Sequence, residues 1–173
     1  MNYLKHGLDN VNVRRAIACA MDVASFISGP YNNYSIPAVA VPIIHTTSAA
    51  VFINQSLVDQ YGWTYNITKA NKILDDAGIV KGTDGIRKLS DGTRLSFTIQ
   101  VPSGWTDWMA ICDLISTSCA QIGIEVKEEF PDFMGVWWPR LIDKQVDMCL
   151  GWSGESPGFD HPWNSFRTMK SMI

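Results

Sequence analysis

Six of the seven tryptophans follow Gly104, at positions 105, 108, 137, 138, 152 and 163. An indole offers a flat apolar face with one polar N–H at its edge. In PSGWTDW, Asp107 stands between Trp105 and Trp108. Trp152 leads into SGESPGFDHPW, which carries Glu155, Asp160, His161 and Trp163. Flat apolar faces beside carboxylates suit a ligand that is apolar on one side and hydroxylated at its edge. A pyranose ring has that character: its C–H groups stack on indole while carboxylates accept its hydroxyls. The alternative for each indole is to fill core, because tryptophan is highly buried on average. Trp137 and Trp138 are adjacent on one predicted helix, so only one of the pair faces the core squarely.

Other chemistries fare worse. GWSGE at Gly151–Glu155 resembles a nucleophile elbow built on Ser153, but that pattern requires glycine where Glu155 stands. Nothing marks a histidine or acid as the partner of Ser153, so a serine hydrolase is the weaker reading and no catalytic residue is assigned. There is no G-x-G-x-x-G and no P-loop. His6, His45 and His161 are scattered, and Cys19, Cys112, Cys119 and Cys149 lack zinc-ligand spacing, so no metal or cofactor is expected. Cys112 and Cys119, seven apart on one predicted helix, stand roughly 10 Å from each other, too far for a disulfide. Their apolar neighbours predict buried free thiols.

The elements that must position these residues can be read from spacing. Apolar residues recur at helical intervals from Asn12, a candidate N-cap, to Ser28, where Gly29-Pro30 stops the helix. Tyr31–Thr47, with Pro37 and Pro42, has no clear period and reads as ordered loop. A short helix capped by Thr68 runs through Ala77 and ends at Gly78. Asp84-Gly85 and Asp91-Gly92 bracket a hairpin-like unit. Arg94–Val101 alternates as a strand, Thr106–Ile122 is a helix ended by Gly123, and Ile124–Phe130 is a strand with Ile124 and Val126 on one face. Asp132 caps a further helix holding Met134, Trp137, Trp138, Leu141 and Ile142, and Val146–Trp152 is a buried strand. Strand, helix, strand, helix, strand predicts an α/β fold: a right-handed, mostly parallel sheet with helices packed on it. In such sheets ligands sit beyond the carboxyl ends of the strands, where Trp105, Trp108 and Trp152 stand.

The 173 residues suffice for one domain, two at most, with a sizeable core. Fourteen Lys and Arg against seventeen Asp and Glu leave a formal charge of −3, and no basic run suggests nucleic acid or an anionic membrane. No stretch approaches the roughly 20 uncharged apolar residues of a membrane span. Asn2, Lys5, His6 and Asp9 interrupt any signal-peptide core.

Several segments resemble one family. VRRAIACAMD at 13–22, KANKILDDAGI at 69–79, DGIRKLSDGTRLSFTI at 84–99, IGIEV at 122–126 and VDMCLGW at 146–152 look like the solute-binding proteins of ABC transporters, of the oligopeptide/dipeptide/nickel-binding type. Within that group, VPSGWTDWM, EFPDF and SGESPGFDHPWNSFR look most like the branch that binds cello-oligosaccharides. The resemblance implies one lobe of a type II periplasmic-binding fold, its sheet flanked by helices on both faces. Residues 1–173 would be the single C-terminal ligand-binding lobe of a two-lobed protein about three times longer, without its N-terminal lobe and signal peptide. It further implies a monomer, periplasmic or extracytoplasmic, tethered or soluble, that closes on its ligand and delivers it to transmembrane permease subunits. Peptide-binding relatives tend to carry W-x-A-D-Y, whose Asp holds the peptide amine. Here Trp152 is followed by Ser153, Gly154 and Glu155, which favours a β-linked oligosaccharide over a peptide. Trp105, Trp108, Trp138 and Trp152 are then the stacking candidates, and Asp107, Glu155, Asp160 and His161 the edge hydrogen-bonders.

Overall fold

The structure, a computed structural model, describes residues 1–35 and 53–151. They fall into two compact units. The first comprises Met1–Asn32 and Thr64–Leu150; the described residues of the second are 33–35, 53–63 and 151. The second unit contributes one described helix, α3 (Gln55–Tyr61), which Asn54 caps by accepting from the Leu57 N–H.

The first unit opens with two helices where periodicity predicts one. α1 spans Val11–Ala20 and α2 spans Val23–Ser28. The break falls at Asp22, whose carboxylate accepts from both the backbone N–H and the hydroxyl of Ser25 and so starts a new helix. Asn10, not Asn12, is the first cap: its side chain accepts from the Asn12 N–H at 2.8 Å. α4 (Ile67–Asp76) is likewise capped by Asn66 rather than Thr68, through the Lys69 N–H. Ala16, Ala20 and Ala70 are fully buried between α1 and α4, and their small side chains let the two backbones approach.

α4 ends as expected at Gly78, which takes a positive φ of 71°. The next turn is a two-stranded antiparallel hairpin, β1 (Val80–Lys81) with β2 (Arg87–Lys88). Arg87 is buried at its centre. The guanidinium donates to the carbonyls of Ile122 and Ile79, to Asn71 Oδ1 and to Asp75 Oδ1, tying the hairpin to the ends of α4 and α5.

β3 (Ser96–Gln100), β4 (Glu125–Glu129) and β5 (Met148–Cys149) form the expected parallel sheet, in the order β4-β3-β5, and α5 (Thr106–Gln121) connects β3 to β4. Ser96 aligns with Glu125 and Gln100 with both Glu129 and Cys149. Phe97, Ile99, Val126 and Met148 join Ile111, Cys112, Ile115 and Cys119 in the apolar core. Burial pushes the Cys112 and Cys119 thiols up to about 12, as free, sequestered cysteines require. The predicted helix after Asp132 is instead a π-helical turn, Phe133–Trp137, followed by the short α6, Trp138–Ile142. Pro139 explains the restart, since it has no N–H to give to the carbonyl four residues back and is tolerated only in a helix's first turn. Among the described residues no helix is long and apolar enough to cross a membrane.

Candidate ligand-binding site

Two loops leave the carboxyl ends of neighbouring parallel strands, and hydrogen bonds lace them together. Val101 N–H donates to the Glu129 carbonyl and Ser103 N–H to the Pro131 carbonyl at 2.9 Å. Gly104 then turns the chain with a φ of 83°, a conformation open to glycine at little cost, and delivers Trp105 to the start of α5. On the other loop Asp132 accepts from the Gly135 N–H at 2.6 Å and takes the Trp137 N–H on its backbone carbonyl, fixing the π turn. Trp105 and Phe133 are thereby brought to a centroid separation of 5.3 Å.

The result is a continuous aromatic array. Trp105 meets Trp108 edge to face at 4.9 Å and lies 6.4 Å from Trp137; Phe133 lies 5.7 Å from Trp137 and 6.1 Å from Trp138. Trp137 is fully buried and anchors the array, its indole N–H donating to the Gln100 carbonyl at 3.1 Å. Its neighbour Trp138 stays 38% exposed, which is the division expected of two adjacent indoles. Beside Trp108 the polar groups gather. Trp108 hydrogen-bonds the Tyr31 hydroxyl, and Tyr31 is raised above its ordinary range first by burial and then by the negative charge of Asp107. Below the array, Gln100 donates to Glu129, which also faces Arg140 of α6.

Trp105, Asp107, Trp108 and Trp138 thus share one region of the molecule. Trp152, Glu155, Asp160 and His161 lie outside the described residues, as do Ser153, Trp163 and His45. Tyr31, Gln100, Phe133 and Trp137 belong to the region and were not among the sequence candidates. Phe133 had a signal, since it opens the loop after a strand parallel to the one preceding Trp105. Tyr31 had none, because only tertiary packing brings α2's end to α5. No group of three or more His, Cys, Asp or Glu side chains able to hold a metal occurs among the described residues.

The first unit is thus an α/β unit with aromatic and polar groups gathered at the carboxyl ends of its parallel strands. The chain belongs to the bacterial extracellular solute-binding proteins, family 5 (Middle), whose sequence model matches residues 1–172. Solved structures place the fold within a type II periplasmic-binding protein. The periplasmic oligopeptide-binding protein of a Thermotoga maritima ABC transporter, solved with mannohexaose bound, is 28% identical, with a TM-score of 0.80 over 96% of this chain and 31% of its own. The oligopeptide-binding protein AppA of Bacillus subtilis, in complex with a nonapeptide, is 26% identical, with a TM-score of 0.65 over 82% of this chain and 26% of its own. NikA of Brucella suis, in complex with Fe(III)-EDTA, shares the fold at 20% identity and a TM-score of 0.78, over 96% and 32%. The chain therefore spans about a third or less of each of these structures. No curated protein sequence matches it.

Proposed function

We propose that the chain is the ligand-binding lobe of an extracytoplasmic solute-binding protein, that it captures a β-linked oligosaccharide in a hinged cleft, and that the protein hands this ligand to the permease subunits of an ABC importer. The array of Trp108, Trp105, Phe133, Trp137 and Trp138 at the strand ends carries the reading. Its partly exposed rings, Trp105, Trp108, Phe133 and Trp138, supply apolar faces of the size of sugar rings over the buried Trp137, and Asp107 and the Tyr31 hydroxyl stand beside Trp108 as edge partners. The relative solved with mannohexaose supports a sugar. The mild charge of −3 fits a neutral ligand, which needs no electrostatic steering. Trp152 is a further proposed stacking residue, and Glu155, Asp160 and His161 are further proposed hydrogen-bonders to the sugar.

Peptide binding is the second reading, favoured by the relative solved with a nonapeptide. Tryptophan fluorescence of the intact protein separates the two. Titration with cello-oligosaccharides and mannohexaose should give a saturable change, and a set of di- to nonapeptides should give none. A saturable response to peptides with none to any sugar would transfer the site to the second reading.

A further inference from the structure

At the rim of the first unit, both ring nitrogens of His6 face carboxylates. Nε2 lies 2.7 Å from Asp91 Oδ2, in the turn between β2 and β3, and Nδ1 lies 3.4 Å from Asp9 Oδ2, just ahead of α1. A neutral imidazole donates from one nitrogen and accepts at the other, so it serves one of these carboxylates and sets a lone pair against the second. The imidazolium donates to both, and it alone completes the arrangement. Each carboxylate is also built into its own loop: Asp9 Oδ1 accepts from the Gly7 N–H and Asp91 Oδ1 from the Thr93 N–H. Gly7, with a φ of 92°, brings the chain close against the Phe97 ring, and Leu8 is fully buried. The neighbouring cations are engaged elsewhere. Arg14 of α1 donates to the Leu8 and Asp9 carbonyls, Lys5 pairs with Asp147, Lys88 reaches toward Gly82, and Arg94 pairs with Asp84 and Glu125.

We infer that His6, Asp9 and Asp91 form a pH-sensitive clasp that fastens the N-terminal segment to the turn between β2 and β3, closed while the imidazole is protonated and half-released once it is neutral. The inference is independent of the ligand reading. Asp91, and after it Asp9, raises His6 above its ordinary 6.5. The clasp is therefore complete below about 6.5 and loosens as the pH rises through the raised midpoint. The Thr93 N–H and then the His6 ring hold the Asp91 carboxyl down to about 2, so at the acid end the clasp opens only well below the ordinary 3.8. All three side chains are about half exposed, so their protons exchange directly with the medium that an extracellular family meets. On release the longer contact, to Asp9, is the one lost, and with it the hold on the Gly7 N–H.

The test is an NMR titration of the intact protein between about pH 5 and 8, comparing wild type, Asp91→Asn and His6→Gln. The His6 ring and the exchange of the Gly7 amide, corrected for its intrinsic pH dependence, are followed together. His6 should titrate above about 6.5 in the wild type and closer to that value in Asp91→Asn. Protection of the Gly7 amide should fall about threefold as His6 loses its proton, and in His6→Gln it should stay at the lower level throughout. A His6 midpoint at the ordinary value that Asp91→Asn leaves unmoved, or Gly7 protection unchanged across the midpoint, overturns the inference. Should a variant fail to fold, the wild-type titration decides by the same two readings.

Discussion

Arg87 shows what one residue does for the part of the fold behind the site. Its guanidinium is 2% exposed, yet its ion-pair partner Asp75 is 63% exposed, so the pair itself is screened by water. The stabilising part is the donation to the Ile122 and Ile79 carbonyls, which no water replaces when the side chain is removed. Arg87→Met should therefore lower unfolding free energy by about 2–4 kcal/mol, and Asp75→Ala by at most about 1 kcal/mol, in urea denaturation. Equal costs for the two would place the energy in the ion pair instead. At this scale the sequence spoke unevenly. The tryptophans announced themselves by crowding, and the division between Trp137 and Trp138 followed from adjacency alone. Gln100 gave no signal, because a polar residue closing an alternating strand reads as solvent-facing; its burial comes from the elements laid over it.

At the scale of elements, α4 and α5 end in the same way. In each, the glycine N–H bonds the carbonyl three residues back and the next residue's N–H reaches five back: Gly78 and Ile79 to Asp75 and Leu74, Gly123 and Ile124 to Ala120 and Cys119. Both glycines have positive φ, but their surroundings differ. A Cβ at Gly78 would meet nothing within 4 Å, whereas one at Gly123 would meet the Gly85 carbonyl at 2.9 Å. Gly78→Ala should thus cost about 1 kcal/mol, the conformational penalty alone, and Gly123→Ala at least about 1 kcal/mol more. Matching thermal unfolding shifts for the two variants would show that the close approach to Gly85 carries no energy. These stops were legible because glycine is the one residue that takes the conformation freely. The starts were less so. Asn10 and Asn12, then Asn66 and Thr68, offer two cap-forming residues two positions apart, and spacing does not choose between them. The π turn was hidden too, since the periodicity from Met134 to Ile142 is helical, and the restart follows from Pro139.

For the whole molecule, the parallel order β4-β3-β5 is what assembles the candidate site, because it sends two successive loops to the same end of the sheet. The family match extends over residues 1–172, while each relative's chain is about three times as long or more. On the proposed reading, a sugar seated on one lobe without closure would stay exposed to water, which is why the binding tests use the intact protein. Fold class was readable because alternation, helical spacing and glycine stops agree along β3, α5 and β4. The site was readable only in part, because its rings come from loops that meet through tertiary hydrogen bonds.

The central claim, that the aromatic array holds a sugar, is tested most directly by calorimetric titration of mannohexaose into the intact protein and its Trp105→Ala variant, with Trp63→Ala, an exposed tryptophan of the second unit, as control. Loss of one stacking face should weaken binding about tenfold or more in Trp105→Ala, and Trp63→Ala should bind as the wild type does. Unchanged affinity in Trp105→Ala, or no heat of binding in the wild type, would contradict it.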